Sequence, residues 1–383
     1  MELRDLPKRT NKVLTLLKVV FSQLLIISTL IASPFLGELS LSTTANSTEG
    51  ENVYIITRYL PAFEIQKSLN SSWDYDLEVR WQLNWGSTLD TLDFSESSFN
   101  MDPYRIALNL QSSHSEYIIG LQKINFGPAR ILRPLMWFDA LDPTDPLELT
   151  SGVTGLSATY HYDFGWSSQA WILLADDPIG WEVFPDKSGT VETGGRINIP
   201  SNQGQIGVST HFRIADIDTF YSDDLDLYEG RIGLDGFWDV GIGLWVESVY
   251  KHQELSTEPF LEQIQATLGA DYTIWVGNGL HLMAEHMVVN TWNSPLIEDQ
   301  TLQLTTAMLS YSPTMFDQMS LLVLMNWENE TPLAYLSWGR TYDNFRFSAG
   351  AFYTKLDETQ SNTSAFSSDF SGKGIQLTVA YNH

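Results

Sequence analysis

The chain of 383 residues contains no cysteine and is poor in basic side chains. Without cysteine, neither a disulfide framework nor a lipid-modified cysteine can form. Lysine and arginine together number 21, against 47 aspartate and glutamate residues, so the formal net charge at pH 7 is −26. Because a surface that binds nucleic acid must neutralise phosphates with basic side chains, this balance argues against nucleic acid as a partner.

Helical periodicity and long apolar runs are absent beyond residue 45, and no linker marks a second domain. The first 45 residues differ, because a basic start is followed by the apolar stretch 19–37 and a tail of small residues. This order predicts a secretory signal over 1–45, cleaved at Ala45. An uncleaved membrane anchor is the alternative, since the apolar stretch approaches the ~18 residues that a spanning helix needs. The remaining domain is 46–383.

Residues 73–86 alternate apolar and polar side chains without an exception over a full strand length. Successive side chains of a strand point to opposite faces, so one face is apolar and the other charged. The apolar face carries Trp73 at one end and Trp85 at the other, about 40 Å apart along a strand. A strand tilted by ~40° would then match the ~25 Å apolar band, with aromatic girdles, of an outer-membrane barrel.

The same alternation recurs in seventeen segments, from 51–62 to 372–382. Single-chain bacterial barrels use an even number of strands, so we expect an all-β, antiparallel up-and-down transmembrane barrel of 16 strands, with 18 as the next choice. Either 51–62 is not a membrane strand, or one further strand lies within 128–150. Tight turns at 165–167, 235–236 and 277–279 should alternate with long polar connections at 87–100, 177–187, 215–224, 251–261 and 356–371.

One long connection is apolar and rich in proline. It includes Trp137 and Phe138, and the prolines predict an irregular, sharply turned path. An external loop has little reason to hold such side chains together, whereas a loop folded into the lumen can pack them against the wall. We therefore expect an inward constriction loop over about 126–150. A surface loop with an apolar knot is the alternative interpretation.

Three short motifs carry a resemblance to known families: 120–122 (GLQ), 125–127 (NFG) and 137–141 (WFDAL). Together they make residues 120–155 resemble the porin-like outer-membrane β-barrel families, including the alginate-export and substrate-specific porin groups. The resemblance implies passive diffusion through a pore that a loop constricts. It does not fix the solute, since the arginine- and lysine-rich lumen of alginate export is only partly reproduced.

Charged side chains define the predicted pore. Judged by the alternation of apolar side chains along each strand, seven strand arginines fall on the polar face. An arginine on the lipid face near the membrane midplane would cost ~2–4 kcal/mol. Facing the carboxylates of the inward loop, they would create a transverse field that sorts solutes by charge. The alternative is that they form ion pairs that brace the wall. The candidate pore residues are Arg58, Arg80, Arg105, Arg130, Arg133, Arg196, Arg213, Arg231, Arg346, Asp139, Asp142 and Asp145.

Catalytic and metal-binding readings find little support. His281 and His286 are five residues apart, which places them on opposite faces of a strand, and no GxSxG, HExxH or P-loop motif occurs. We therefore expect no enzyme, metal or cofactor. The favoured function is a passive channel for small polar or ionic solutes in the outer membrane of a Gram-negative bacterium. A binding or adhesion barrel with acidic loops, or a hydrolase at the barrel rim, is the alternative.

The expected partners follow from that location. The barrel would contact outer-membrane lipid and lipopolysaccharide, and a homo-oligomer is compatible with the sequence. The last segment, 372–382, alternates like a terminal strand that the barrel-assembly machinery recognises. It ends in Asn382 and His383, with the aromatic Tyr381 displaced from the usual terminal position.

Overall fold

The computed structural model describes residues 36–46, 53–90, 93–140, 145, 147–174, 177–217, 226–255, 258–293, 299–355 and 372–383. Residues 1–35 of the predicted signal, Asp142 and the predicted loop 356–371 lie outside this part of the chain. The described residues contain no helix that is long and apolar enough to cross a membrane.

In the described part of the chain, eighteen antiparallel strands form one sheet that closes on itself, because β1 pairs with both β2 and β18. The strands are β1 (Leu36–Asn46), β2 (Val53–Ser68), β3 (Asp74–Asp90), β4 (Asp93–Gln111), β5 (Ser115–Gln122), β6 (Val153–His161), β7 (Ser167–Leu174), β8 (Val191–Ser201), β9 (Gly204–Asp216), β10 (Asp226–Asp239), β11 (Gly243–Leu255), β12 (Glu258–Ile274), β13 (Leu280–Trp292), β14 (Gln300–Tyr311), β15 (Asp317–Asn326), β16 (Thr331–Tyr342), β17 (Phe345–Thr354) and β18 (Lys373–Asn382). The predicted all-β antiparallel barrel is therefore confirmed.

The preferred number of 16 strands is wrong, and the second choice of 18 is correct. All seventeen predicted segments became strands β2 to β18, and the described residues of 123–152 contain no strand. The additional strand is β1, within the predicted signal segment. This strand pairs with both β2 and β18 and so closes the ring.

Three predicted connections are also wrong. In 251–261, β11 continues to Leu255 and β12 begins at Glu258, so most of this segment is strand. Asp235 and Gly236 lie inside β10, paired with Glu247 and Val246 of β11, and the turn follows at 240–242. Residues 87–100 are not a long loop, because most of them extend β3 and β4. The two strands pair from Asp74 with Gln111 to Asp90 with Asp93. Glycine and aspartate alone do not make a turn when both neighbouring strands supply hydrogen-bond partners.

The longest connections all lie at one end of the barrel. At one end, called the turn end, the strand pairs β4–β5, β8–β9, β10–β11 and β16–β17 are joined by short turns, and β1 begins where β18 ends. The opposite end, called the loop end, carries the connections 123–152 and 175–190. Both of these longer connections return into the barrel.

The register of β3 agrees with the faces predicted for 73–86. Val79 and Trp85 share the outer face of β3, whereas Arg80 and Gln82 face the lumen, and Trp85 is 59% exposed. Trp73 lies at the turn end of β3 and stacks on Tyr117 of β5, with 6.0 Å between ring centroids. The two tryptophans predicted as girdle residues therefore lie near opposite ends of the outer face.

Candidate functional site

The segment 123–152 is called the inward loop, and its described residues, 123–140, 145 and 147–152, lie inside the barrel. The loop leaves the wall at β5 and re-enters it at β6, yet it contacts inward side chains of β11, β12 and β13, on the far side of the ring. Its apolar residues Leu132, Leu135, Trp137 and Phe138 are at most 3% exposed. The contacts place these residues in the lumen and exclude a surface loop.

Two carboxylates of the far wall hold the inward loop through its backbone. Glu285 on β13 accepts N–H groups from three consecutive residues, 130–132, at 2.6–3.0 Å, and the indole N–H of Trp245 at 3.0 Å. Glu247 on β11 accepts the N–H groups of Ala129 and Leu135 at 2.7 and 3.2 Å. An irregular loop leaves backbone donors without partners, and these carboxylates satisfy them.

A glycine is required where the loop meets Glu247. Gly127 has a φ of +93°, and a Cβ atom at this position would lie 2.2 Å from Oε1 of Glu247. The left-handed conformation and the close approach of the carboxylate both require a residue without a side chain. This part of the predicted NFG motif therefore has a local structural cause.

Aromatic rings fill the space between the loop and the near wall. Phe126 stacks on Trp171 of β7 at 5.7 Å, and Phe138 meets the same ring edge-on at 5.4 Å. Val153 and Leu173, each at most 2% exposed, complete this cluster. Aromatic pairs in these geometries add to the free energy gained by burial. This aromatic cluster therefore holds the loop in position.

Residues 177–190, called the second inward segment, lie against the inward loop. The indole N–H of Trp181 donates to the carbonyl oxygen of Arg133 at 2.9 Å. Gly180, with a φ of +63°, approaches so closely that a Cβ atom would lie 2.0 Å from the carbonyl oxygen of Met136. The prediction that 177–187 forms an external polar connection is therefore wrong.

Ion pairs with the wall secure this second segment. Arg213 of β9 contacts Asp186 at 2.9 Å and Glu182 at 3.3 Å, and Arg231 of β10 contacts Glu182 at 2.6 Å. Glu229 lies between the two arginines and bonds to both. All five side chains are at most 7% exposed. A buried charge is tolerated when it is paired and hydrogen-bonded, which this network achieves.

The arginines predicted to line the pore divide into two groups. Five of them are buried: Arg105, Arg133, Arg196, Arg213 and Arg231. Arg196 forms a bidentate pair with Asp235 at 2.6 and 2.9 Å, and Arg133 contacts Asp139 at 3.0 and 3.2 Å. Their geometry favours the bracing interpretation.

Arg105 and Asp139 are also buried and make contacts within the protein. Arg105 is 7% exposed and donates to the carbonyl oxygens of Thr150 and Ser151 at 2.9 and 3.1 Å, which attaches the returning arm of the loop to β4. Burial raises the pKa of the Asp139 carboxyl above its ordinary value, although the guanidinium of Arg133 acts in the opposite direction. Neither side chain is open to the lumen.

The second group of arginines keeps contact with solvent. Arg80 on β3 pairs with Glu64 at 2.5 Å and Glu78 at 2.9 Å, and these side chains are 32–41% exposed. Arg58 on β2 pairs with Asp145 of the inward loop at 2.7 Å. Arg346 on β17 is half-buried and faces the lumen, and Arg130 is exposed on the loop. These solvent-accessible side chains lie on β2, β3 and β17 and on the inward loop.

Sequence reasoning missed the residues that anchor the two inward connections: Trp181, Glu182, Trp245, Glu247 and Glu285. Each lies at an ordinary position of a strand or connection, and none belongs to a motif. One signal was available, because Glu247 and Glu285 are acids on the polar face of strands whose neighbours carry few arginines. Their partners are backbone N–H groups, which no sequence pattern identifies.

The histidines are separated as their spacing predicts. His281 faces the lumen, 3.4 Å from Asp271, whereas His286 faces outward and bonds to Thr305 at 2.9 Å. His211 is buried between Trp171 and Glu192, at 3.3 and 2.8 Å. Within the described ranges, no three acidic or histidine side chains are arranged to hold a metal ion.

No protein-family model matches this sequence, and no curated protein matches it. The structure does align with solved outer-membrane porins. OccK5 of Pseudomonas aeruginosa aligns with a TM-score of 0.53 and 10% identity, covering 91% of this chain and 97% of that one. OccD3 of the same organism gives 0.52 and 11%, covering 91% of both chains, and OccAB3 of Acinetobacter baumannii gives 0.52 and 7%, covering 91% and 99%.

At these identities the comparison concerns the fold. The porin-type barrel that the resemblance over 120–155 implied is confirmed.

Proposed function

Starting from a barrel with the fold of the outer-membrane porins, we propose that this protein is a passive channel for small polar or ionic solutes. The observation that carries the proposal is the uneven lumen. The inward loop and the second inward segment pack against inward side chains from β7 to β17, where Trp171, Trp245 and Met287 are at most 2% exposed. The charged residues on β2 and β3 keep solvent contact, which suits a narrow, eccentric passage.

The passage carries both signs of charge. Arg58, Arg80 and Arg346 lie within electrostatic range of Glu38 on β1, and Asp145 belongs to the same group. A narrow site with low-dielectric walls focuses such fields and sorts solutes by charge. Because acidic residues outnumber basic ones in the chain, we expect a weak overall preference for cations.

The location and partners belong to the same proposal. We propose that residues 1–35 direct export, that the loop end faces outward, and that the outer face contacts outer-membrane lipid and lipopolysaccharide. The last strand β18 would serve the barrel-assembly machinery, and a homo-oligomer is compatible with the fold.

A binding barrel with a closed lumen is the second candidate. It is favoured by the number of hydrogen bonds and ion pairs that fix both inward connections, since a firm plug needs such anchors. The acidic loops at the loop end would then form the functional surface.

Conductance in a planar bilayer separates the two candidates. The purified protein should give stepwise currents, and deletion of residues 131–138 should increase the unit conductance while the heat-modifiable migration of a folded barrel remains. Absence of current from the folded wild-type protein would exclude the channel and favour the binding barrel.

A further inference from the structure

One ion pair links the inward loop to the wall beside the passage. Asp145 belongs to the loop that is rooted in β5 and β6, whereas Arg58 lies on β2, three strands away around the ring. The carboxylate and guanidinium are 2.7 Å apart, and their side chains are 14% and 23% exposed. Both partners are therefore accessible from the lumen, unlike the buried pairs that brace the wall.

The other accessible pair of this region has a different geometry. Arg80 and Glu64 lie on adjacent strands β3 and β2, so their contact follows the wall and connects nothing across the lumen. The pair of Arg58 and Asp145 joins a loop to the wall instead. A solute that passes between them must separate the two charges.

From this geometry we propose that Arg58 and Asp145 form a solute-exchangeable clasp, and that the clasp favours small zwitterions such as α-amino acids. The inference rests on the proposed channel function and names its preferred solute class. A zwitterion replaces both halves of the clasp, because its carboxylate pairs with Arg58 and its ammonium pairs with Asp145. The ion pair is exchanged for two new ones, and no covalent bond changes.

Solutes with one charge lack this compensation. An anion that pairs with Arg58 leaves the carboxylate of Asp145 without its partner, and a cation that pairs with Asp145 leaves the guanidinium alone. Leaving one member of a partly desolvated pair uncompensated costs free energy, whereas replacing both members does not. Neighbouring charges of both signs accompany the clasp, since Arg58, Asp145, Arg80 and Arg346 all lie within electrostatic range of Glu38.

Four labelled solutes of similar size test the proposal: glycine as the zwitterion, glycolamide as the neutral reference, glycolate as the anion and ethanolamine as the cation. Their efflux is measured from liposomes that contain the full-length folded protein. In the wild type, glycine should leave faster relative to glycolamide than either singly charged solute does. Asp145→Asn and Arg58→Gln should each lower the ratio of glycine to glycolamide by about two- to fivefold, the range for partly exposed ion pairs.

Two further variants make the test specific. The exchanged double variant Arg58→Asp with Asp145→Arg restores the clasp with reversed orientation and should recover the preference for glycine. Glu64→Gln removes a carboxylate from the wall pair in the same passage, and the ratio should stay at the wild-type value. Heat-modifiable migration identifies the folded variants that are compared.

The outcomes separate the clasp from the channel itself. If the wild type conducts ions but releases glycine no faster than glycolate and ethanolamine, the clasp is refuted and the channel stands. The same conclusion follows if both single variants keep the wild-type ratio, or if Glu64→Gln lowers it equally. If no solute leaves and no current flows, the proposed channel fails as well.

Discussion

The anchor at Glu285 offers the sharpest test of how the lumen is organised. Three N–H groups of residues 130–132 and the indole N–H of Trp245 converge on this one carboxylate. In Glu285→Ala, these donors lose their acceptor together, while the pairing of β13 with β12 and β14 is unaffected because it involves backbone groups only. The loop should therefore loosen without loss of the barrel.

The magnitude follows from the number of donors. An unsatisfied buried donor costs about 1–3 kcal/mol, so the three backbone donors alone lose about 3 kcal/mol at the low end. At about 1.4 kcal/mol per tenfold change, this shifts the docking equilibrium of the loop about 100-fold. Water that enters the lumen would replace part of the loss, so the low end is the appropriate figure.

Two measurements read the result. Single-channel recordings of Glu285→Ala should show a larger or noisier unit conductance, and limited proteolysis should cut the variant within 123–152 faster than the wild type. Glu285→Gln keeps one acceptor oxygen and should fall between the two proteins. Glu262→Gln, on the outer face of β12, is the matched control and should behave as wild type.

Wild-type current and wild-type proteolysis in Glu285→Ala would refute the reasoning. In that case the aromatic knot around Trp171 and the contact between Trp181 and Arg133 would hold the loop without the carboxylate.

Two other predictions concern the wall. Val79→Arg places a charge on the outer face of β3 and should reduce stable assembly, at a cost of about 2–4 kcal/mol near the midplane. Gln82→Arg, on the inner face, should fold. Equal heat-modifiable migration of the two variants would contradict the assigned faces. Arg196→Met leaves the 1%-exposed Asp235 carboxylate uncompensated and should destabilise the barrel by about 3–5 kcal/mol in denaturant titrations. Adding Asp235→Leu should recover most of the loss, and failure to recover would show that the pair itself stabilises the wall.

The strands and their faces were determined by the sequence alone. Alternation along 73–86 is a local property, since successive side chains of any strand point to opposite faces, and the same period identified β2 to β18. Burial of an arginine in lipid is costly, so the inward face of Arg58, Arg80 and Arg346 also followed from the pattern. Strand β1 was not predicted, because its apolar start adjoins an apolar stretch that has the features of a signal.

Only the tertiary structure decided which charged residues face the passage and which brace the wall. Arg80 and Arg196 occupy equivalent inward positions, yet Arg80 is half-exposed whereas Arg196 is buried in a bidentate pair. The difference arises because the two inward connections pack against inward side chains from β7 to β17, whereas Arg80 on β3 keeps contact with solvent. The anchors of these connections are carboxylates such as Glu285 that bond to backbone N–H groups more than 150 residues away along the chain. Such contacts depend on loop closure across the barrel, and a local pattern of side chains contains no record of it.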